Sequence, residues 1–282
     1  GGHLKMPWNL LPEERVRKIN FEPTDFKEKL KADRPLCISN HSGLSSFFIA
    51  YDERASSFHK INEEFVNRFD KLNYRAKETI EVNCMTLDEY FNDKDEQIDA
   101  LDINVEGHDY HVLQGGGQIF EKNFLKLIKI EFELTDVWKK QGWFSDIDSF
   151  MRKRNFDLID IDIDCLRPSN VKEIFHKGEP LWGKAYYSPS LFIMREKLFS
   201  LELENLEDQV AKAISLLVTF DSISRAFEIA DILDERIGKF SAVPIKSEIS
   251  KIYQYARSES EIKSMFRKSK SLIGYLKRKI FR

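Results

Sequence analysis

The stretch from Gln97 to Gly117, QIDALDINVEGHDYHVLQGGG, constrains the fold of this chain most. Leu101, Ile103 and Val105 alternate with Asp102, Asn104 and Glu106, the two-residue period of a strand. Gly107 breaks the run, His108 to Gln114 reads as a helix, and Gly115-Gly116-Gly117 ends it. A strand that passes at once into a helix, with polar groups at its carboxyl end, is where open α/β sheets place ligands. The same alternation suits a half-exposed antiparallel strand with its polar face in water, and the pattern alone does not separate the two.

The 282 residues, 42% apolar and 32% charged with a formal charge of −3, suffice for one large domain or a domain with an appendage. Near-neutral charge gives no support for broad nucleic-acid binding. Cys37, Cys84 and Cys165 are odd in number and lack metal-ligand spacing, so they read as buried thiols of a reducing, cytoplasmic setting. No metal cluster, phosphate loop or nucleophile elbow is legible, and no apolar run nears the roughly 20 residues of a membrane span.

Along the chain, strands are expected at Arg15–Phe21, Leu36–Ser39, Phe47–Tyr51, Glu78–Cys84, Leu127–Leu134, Phe156–Ile163 and Ser190–Met194. Helical segments are expected at Phe26–Lys31, Asn62–Phe69 and Leu87–Phe91, and from a Ser145-Asp146 cap to about Arg154. Asp157, Asp160, Asp162 and Asp164 lack the glycine and distal glutamate of a calcium loop and read as a solvated face. From Leu203 the texture is helical, with Val210, Ile214, Leu217 and Val218 on one face, then Ile223, Phe227, Ala230 and Leu233. Residues 261–282 carry eight Lys or Arg against one Glu, a formal +7, leaving −10 for the rest. Their apolar stripe packs on neighbouring helices or, as an alternative, lies on an anionic membrane surface.

The central stretch resembles the signature of FkbM-type methyltransferases, carried by Leu101-Asp102-Ile103-Asn104-Val105-Glu106-Gly107, Asp109, Leu113 and Gly115-Gly116. Met85-Thr86-Leu87-Asp88-Glu89-Tyr90, Ala55-Ser56-Ser57-Phe58 and Leu181-Trp182-Gly183-Lys184 extend the likeness to roughly residues 1–195. Ser56 and Ser57 equally suit a cap for the segment at Asn62. Gly1-Gly2-His3 reads as a cloning scar or, with Pro7-Trp8 and Phe21-Glu22-Pro23, resembles the first cofactor loop and the following strand, and on that likeness the chain is expected to start inside that loop.

The resemblance implies a Rossmann-like α/β sandwich with a mostly parallel sheet, its first strand missing, and an interior Ala100–Val105 strand. It implies a methyltransferase domain over 1–198 and an all-α extension over 199–282. The implied activity is S-adenosylmethionine-dependent O-methylation of a sugar or glycan hydroxyl. By the same likeness Gly1, Gly2, Glu22 and Asn104 hold the cofactor, and Glu106 or His108 takes the acceptor proton. Glu22 suits a ribose because a carboxylate accepts two hydrogen bonds. His111, one turn along, reads as an exposed helix residue. Three positions depart from the family pattern: Asp102 replaces a lysine, while Asn104 and Lys184 replace aspartates. These departures motivate a second reading, a non-catalytic relative that binds through its helical tail.

Overall fold

The computed structural model describes residues 16–22, 36–94, 96–171, 178–220, 222–237, 245–247 and 249–250. The chain divides into two compact units, one containing Lys18–Tyr187 and the other everything from Ser188 onward. The predicted segment Phe26–Lys31, the glycines at 1 and 2 and the basic tail lie outside the described residues.

The first unit is mixed α/β and carries two sheets. In the smaller one, β1 (Cys37–Ile38) pairs parallel with β3 (Ala76–Met85), which pairs antiparallel with β2 (Gly43–Ala50). Cys37, Phe47, Ile49, Val82 and Cys84 are buried together in it. Between β2 and β3 runs α1 (Glu63–Phe69), whose cap is Asn62, its side chain accepting from Glu64 N. Ser56 and Ser57 therefore have other work: Ser56 Oγ accepts from Ala50 N, and Ser57 reaches the candidate site. After β3 comes the expected helical segment, α2 (Leu87–Phe91), capped by Thr86.

The larger sheet has the order β4-β5-β7-β6. Here β4 (Ala100–Ile103) and β5 (Leu127–Glu133) are parallel, while β7 (Glu179–Pro189) runs antiparallel to β5. The remaining strand is β6 (Phe156–Leu166). Both sheets are thus mixed, not mostly parallel. Among the described residues β4 stands at an edge instead of in the interior. Its Ala100, Leu101 and Asp102 are only half-buried, whereas β5, flanked on both sides, is buried along nearly its whole length. The expected strand at Arg15–Phe21 is reduced, in the described residues, to a single bridge at Phe21.

Ile128, Ile130 and Phe132 of β5 are fully buried in the main core with Leu113, Ile147 and Met151. Each such side chain contributes about 1.5–3 kcal/mol, which makes β5 the strand that fixes the unit. Lys129, Glu131 and Glu133 alternate with them and take the other face. Crossing from β4 to β5 are two short helices, α3 (Asp109–Gln114) and α4 (Gly117–Lys122). The glycine run was expected to end helical structure there. Instead Asp88 accepts from Gln118 N and Ile119 N and starts a second helix. Helix α5 (Phe144–Arg152) is capped by Asp146 reaching back to Trp143 N at 3.0 Å, and Ser145 is not the cap.

The expected last strand at Ser190–Met194 is a helix, α6 (Leu191–Ser200), with Ser190 Oγ accepting from Ile193 N. Trp182-Gly183-Lys184 lie inside β7 itself, not ahead of a later strand. The error has a simple cause: a short apolar run carries no period that separates strand from helix, and the serine cap decides it. In the second unit α6 packs with α7 (Leu203–Thr219) and α8 (Ile223–Ile237). Leu206, Val210, Ala213, Ile214 and Leu217 face Ala226, Ile229, Ala230 and Leu233, all buried at helical spacing. No helix of the described residues is long and apolar enough to cross a membrane.

Candidate active site

Beyond β4 the chain makes a tight turn in which Glu106 (φ +53°) and Gly107 (φ +83°) are both left-handed. A glycine is required at 107, because an added Cβ would come within 2.4 Å of Trp138 Cδ1. For Glu106 the same conformation costs about 1–2 kcal/mol. Several bonds hold it there. Asp109 accepts from Val105 N and Gly107 N, both at 3.2 Å, and Ser57 Oγ donates to Glu106 O at 2.6 Å. A strained residue held by its surroundings is a recurrent mark of functional turns.

The turn is rich in carboxyls. Burial, then the nearby charge of Glu131, holds Glu106 well above the usual carboxylate range, and Asp109 likewise. Glu131 is pushed up to about 7, chiefly by burial, with Lys184 pulling the other way. Glu133 is 3% exposed, is raised by burial and by its acidic neighbours, and its Oε2 has no hydrogen-bond partner. Asn104 Oδ1 is buried and unpartnered too. Such a surplus of enclosed acceptors favours a cationic or donor-bearing guest, so the residues present fit a sulfonium cofactor.

Two of the departures from the family pattern have ionic neighbours across a ladder. Asp102 stands opposite Lys129, whose ammonium lies 3.0 Å from both carboxylate oxygens. Lys184 stands opposite Glu131. Both residues are therefore accounted for by the charge facing them.

Beside the turn lies a group of histidines. The ring of His108, 5% exposed, contacts Ser39 Oγ through Nε2 at 2.9 Å and His59 Nε2 through Nδ1 at 3.1 Å. His111 stacks on it at 4.4 Å and an interplanar angle of 3°. His111 is half-buried with an enclosed, unpartnered Nδ1, not the exposed helix residue its position suggests. Burial first, then neighbouring histidines, lowers all three rings, His59 to about 4 and His108 to about 2. They are neutral at physiological pH.

Of the residues singled out by sequence, Asn104, Glu106 and His108 thus meet at one strand end. Glu22 lies by β1, where its charge adds to the burial that pushes the Cys37 thiol up. Cys37 and Cys84 are buried as expected, while Cys165 is half-exposed. Ser57 is marked only as part of a serine pair resembling the family, and Ser39 and His59 carry no local signal. They come from the loops around β2 and meet the turn only through the fold.

A strand-to-helix turn loaded with buried carboxyls, on a parallel β4–β5 pair of a mixed α/β unit, is consistent with a Rossmann-like methyltransferase. The model of the methyltransferase FkbM domain matches residues 6–158, more than half of the chain, and the protein belongs to that family. Methyl transfer is the activity class this membership indicates. No curated protein and no solved structure matches the chain.

Proposed function

We propose that this protein is an S-adenosylmethionine-dependent O-methyltransferase acting on a sugar or glycan hydroxyl. The observation that carries the reading is the Glu106-Gly107 turn, with its enclosed carboxyl beside an unpartnered Asn104. Asn104, with Glu22 and the glycines at 1 and 2, would hold the cofactor, which supplies an activated methyl on a sulfonium. Displacement at such a methyl depends mainly on positioning, and a base assists when the acceptor is a hydroxyl.

Between the two sequence candidates for that base, Glu106 is the better placed. Its carboxyl is enclosed at the turn, and in its ionised form it is a stronger base than a free carboxylate. Both ring nitrogens of His108 already face partners, Ser39 and His59, and its low proton affinity makes it a poor acceptor. Asn104 keeps one acceptor oxygen of the aspartate it replaces, which serves orientation without charge. With Asp102 and Lys184 matched by opposite charges, they give no support to a non-catalytic reading. The basic segment 261–282 would bring the enzyme to an anionic membrane surface carrying a glycan acceptor.

The test is twofold: calorimetry with S-adenosylmethionine, and transfer of labelled methyl to a panel of sugars. Glu106→Gln should bind the cofactor yet lose about a hundredfold in turnover. Absence of both binding and transfer in the parent would refute the assignment. Equal turnover in Glu106→Gln would move the base elsewhere.

A further inference from the structure

We propose that His59, His108 and His111 form a binding site for one divalent d-block ion, with Zn2+ as the type. One ligand atom from each residue lies within 4.8 Å of the others. His108 Nδ1 and His59 Nε2 are 3.1 Å apart. Two imidazole nitrogens bound to one zinc at about 2.0–2.1 Å in tetrahedral geometry are separated by about 3.3–3.4 Å. That pair therefore needs a shift of only a few tenths of an ångström. His111 must turn its ring out of the parallel stack and close the remaining distance, a movement its half-exposed position permits.

The surrounding hydrogen bonds favour metal-binding tautomers. Ser39 Oγ has Asn40 Oδ1 at 3.3 Å and His41 Nδ1 at 3.2 Å as acceptors for its own proton, so its oxygen is able to accept from His108 Nε2–H at 2.9 Å. In that tautomer His108 Nδ1 presents a lone pair toward His59. A ligand histidine whose other nitrogen donates to a fixed acceptor is the usual arrangement at metal sites. His111 Nδ1, enclosed and unpartnered, is a second nitrogen whose need an ion would meet. All three rings are neutral at physiological pH, the state in which imidazole ligates.

An all-imidazole set selects zinc, cobalt, nickel or copper over magnesium or calcium, which want oxygen. Three protein ligands leave a coordination position open. Lys140 is a charged neighbour of His59 that opposes a cation.

The experiment uses the full chain, stripped with a chelator and titrated with ZnCl2 or CoCl2. One equivalent should bind, and Co2+ should give four-coordinate visible bands without the near-ultraviolet band of a thiolate ligand. His59→Asn and His111→Asn should each weaken Zn2+ by about a hundredfold or more, and Ser39→Ala by about 10–100-fold. Lys140→Gln should tighten it about two- to fivefold by removing a screened repulsion. Circular dichroism of the stripped variants reports folding. Independently, nitrogen NMR of the unmodified chain should show zinc-dependent shifts at His108 Nδ1 and His59 Nε2. No stoichiometric uptake, a thiolate band, or unchanged histidine shifts would overturn the site.

Discussion

Replacing Asp102 by Leu leaves the ammonium of Lys129 buried without its counter-charge. The side chains of Lys129 and Asp102 are only 7% and 15% exposed, so water cannot take over the lost contact. Breaking such a pair from one side costs about 3–5 kcal/mol, a third or more of the stability of an ordinary domain. With a urea dependence of about 2 kcal/mol per molar, the unfolding midpoint should fall by about 1.5–2.5 M. Lys129→Met, which breaks the pair from the other side, should also destabilise the fold. The double variant is the informative one. With both charges gone and the volume kept, it should return to within about 1 kcal/mol of the parent, or exceed it. Urea unfolding of all four proteins, followed by tryptophan fluorescence, closes the cycle. Single losses under about 1 kcal/mol, the scale of an exposed pair, would show that solvent reaches the ammonium and that the buried-pair reasoning is wrong. A double variant as unstable as the two losses added would refute it as well.

Gly107→Ala should abolish any cofactor binding and lower the melting temperature by several degrees, since both the left-handed φ and the 2.4 Å approach to Trp138 forbid a Cβ; an unchanged melting curve refutes the turn geometry. For Glu131, raised from 4.5 to about 7, the folded state binds the extra proton between those values, so stability falls as pH rises through that window and is flat above it. Glu131→Gln should match the parent near pH 4 and exceed it by up to about 3 kcal/mol at pH 8, read from denaturation at both pH values; parallel curves would contradict the shift. The full chain should sediment with anionic liposomes at low salt and lose this on deletion of 261–282, whereas equal binding to neutral lipid would remove the tail from the membrane.

What the sequence showed depended on the range over which each signal acts. The alternation of Leu127 to Leu134 and the short helical segment Leu87 to Phe91 are local, and both elements appear where the pattern puts them. Leu191 to Met194 is local too, but an apolar run without period is silent on its conformation, and Ser190 settled it. The glycine run hid α4 because its start is fixed by Asp88, some thirty positions away. At the site, Glu106 and His108 were legible from their place after a strand. His59 and Ser39 were not, since nothing near them in sequence hints at a partner 49 or 69 residues on.

Ser57 ties together parts of the protein that lie far apart in sequence. Its backbone pairs with Phe48 of β2, its hydroxyl holds the carbonyl of Glu106, and it also receives the amide of His59. The position of the acidic turn is therefore inherited from the register of β2 on β3. An inserted residue before Phe48 would rotate Ser57 away and release the turn, although no residue of the turn itself had changed. Beyond Phe48, a bulge at Ile49–Ala50 already absorbs an irregularity, so the β2–β3 pair can lengthen at its far end without moving the clamp. Length variation among related chains should accumulate at that far end and stop short of the serine.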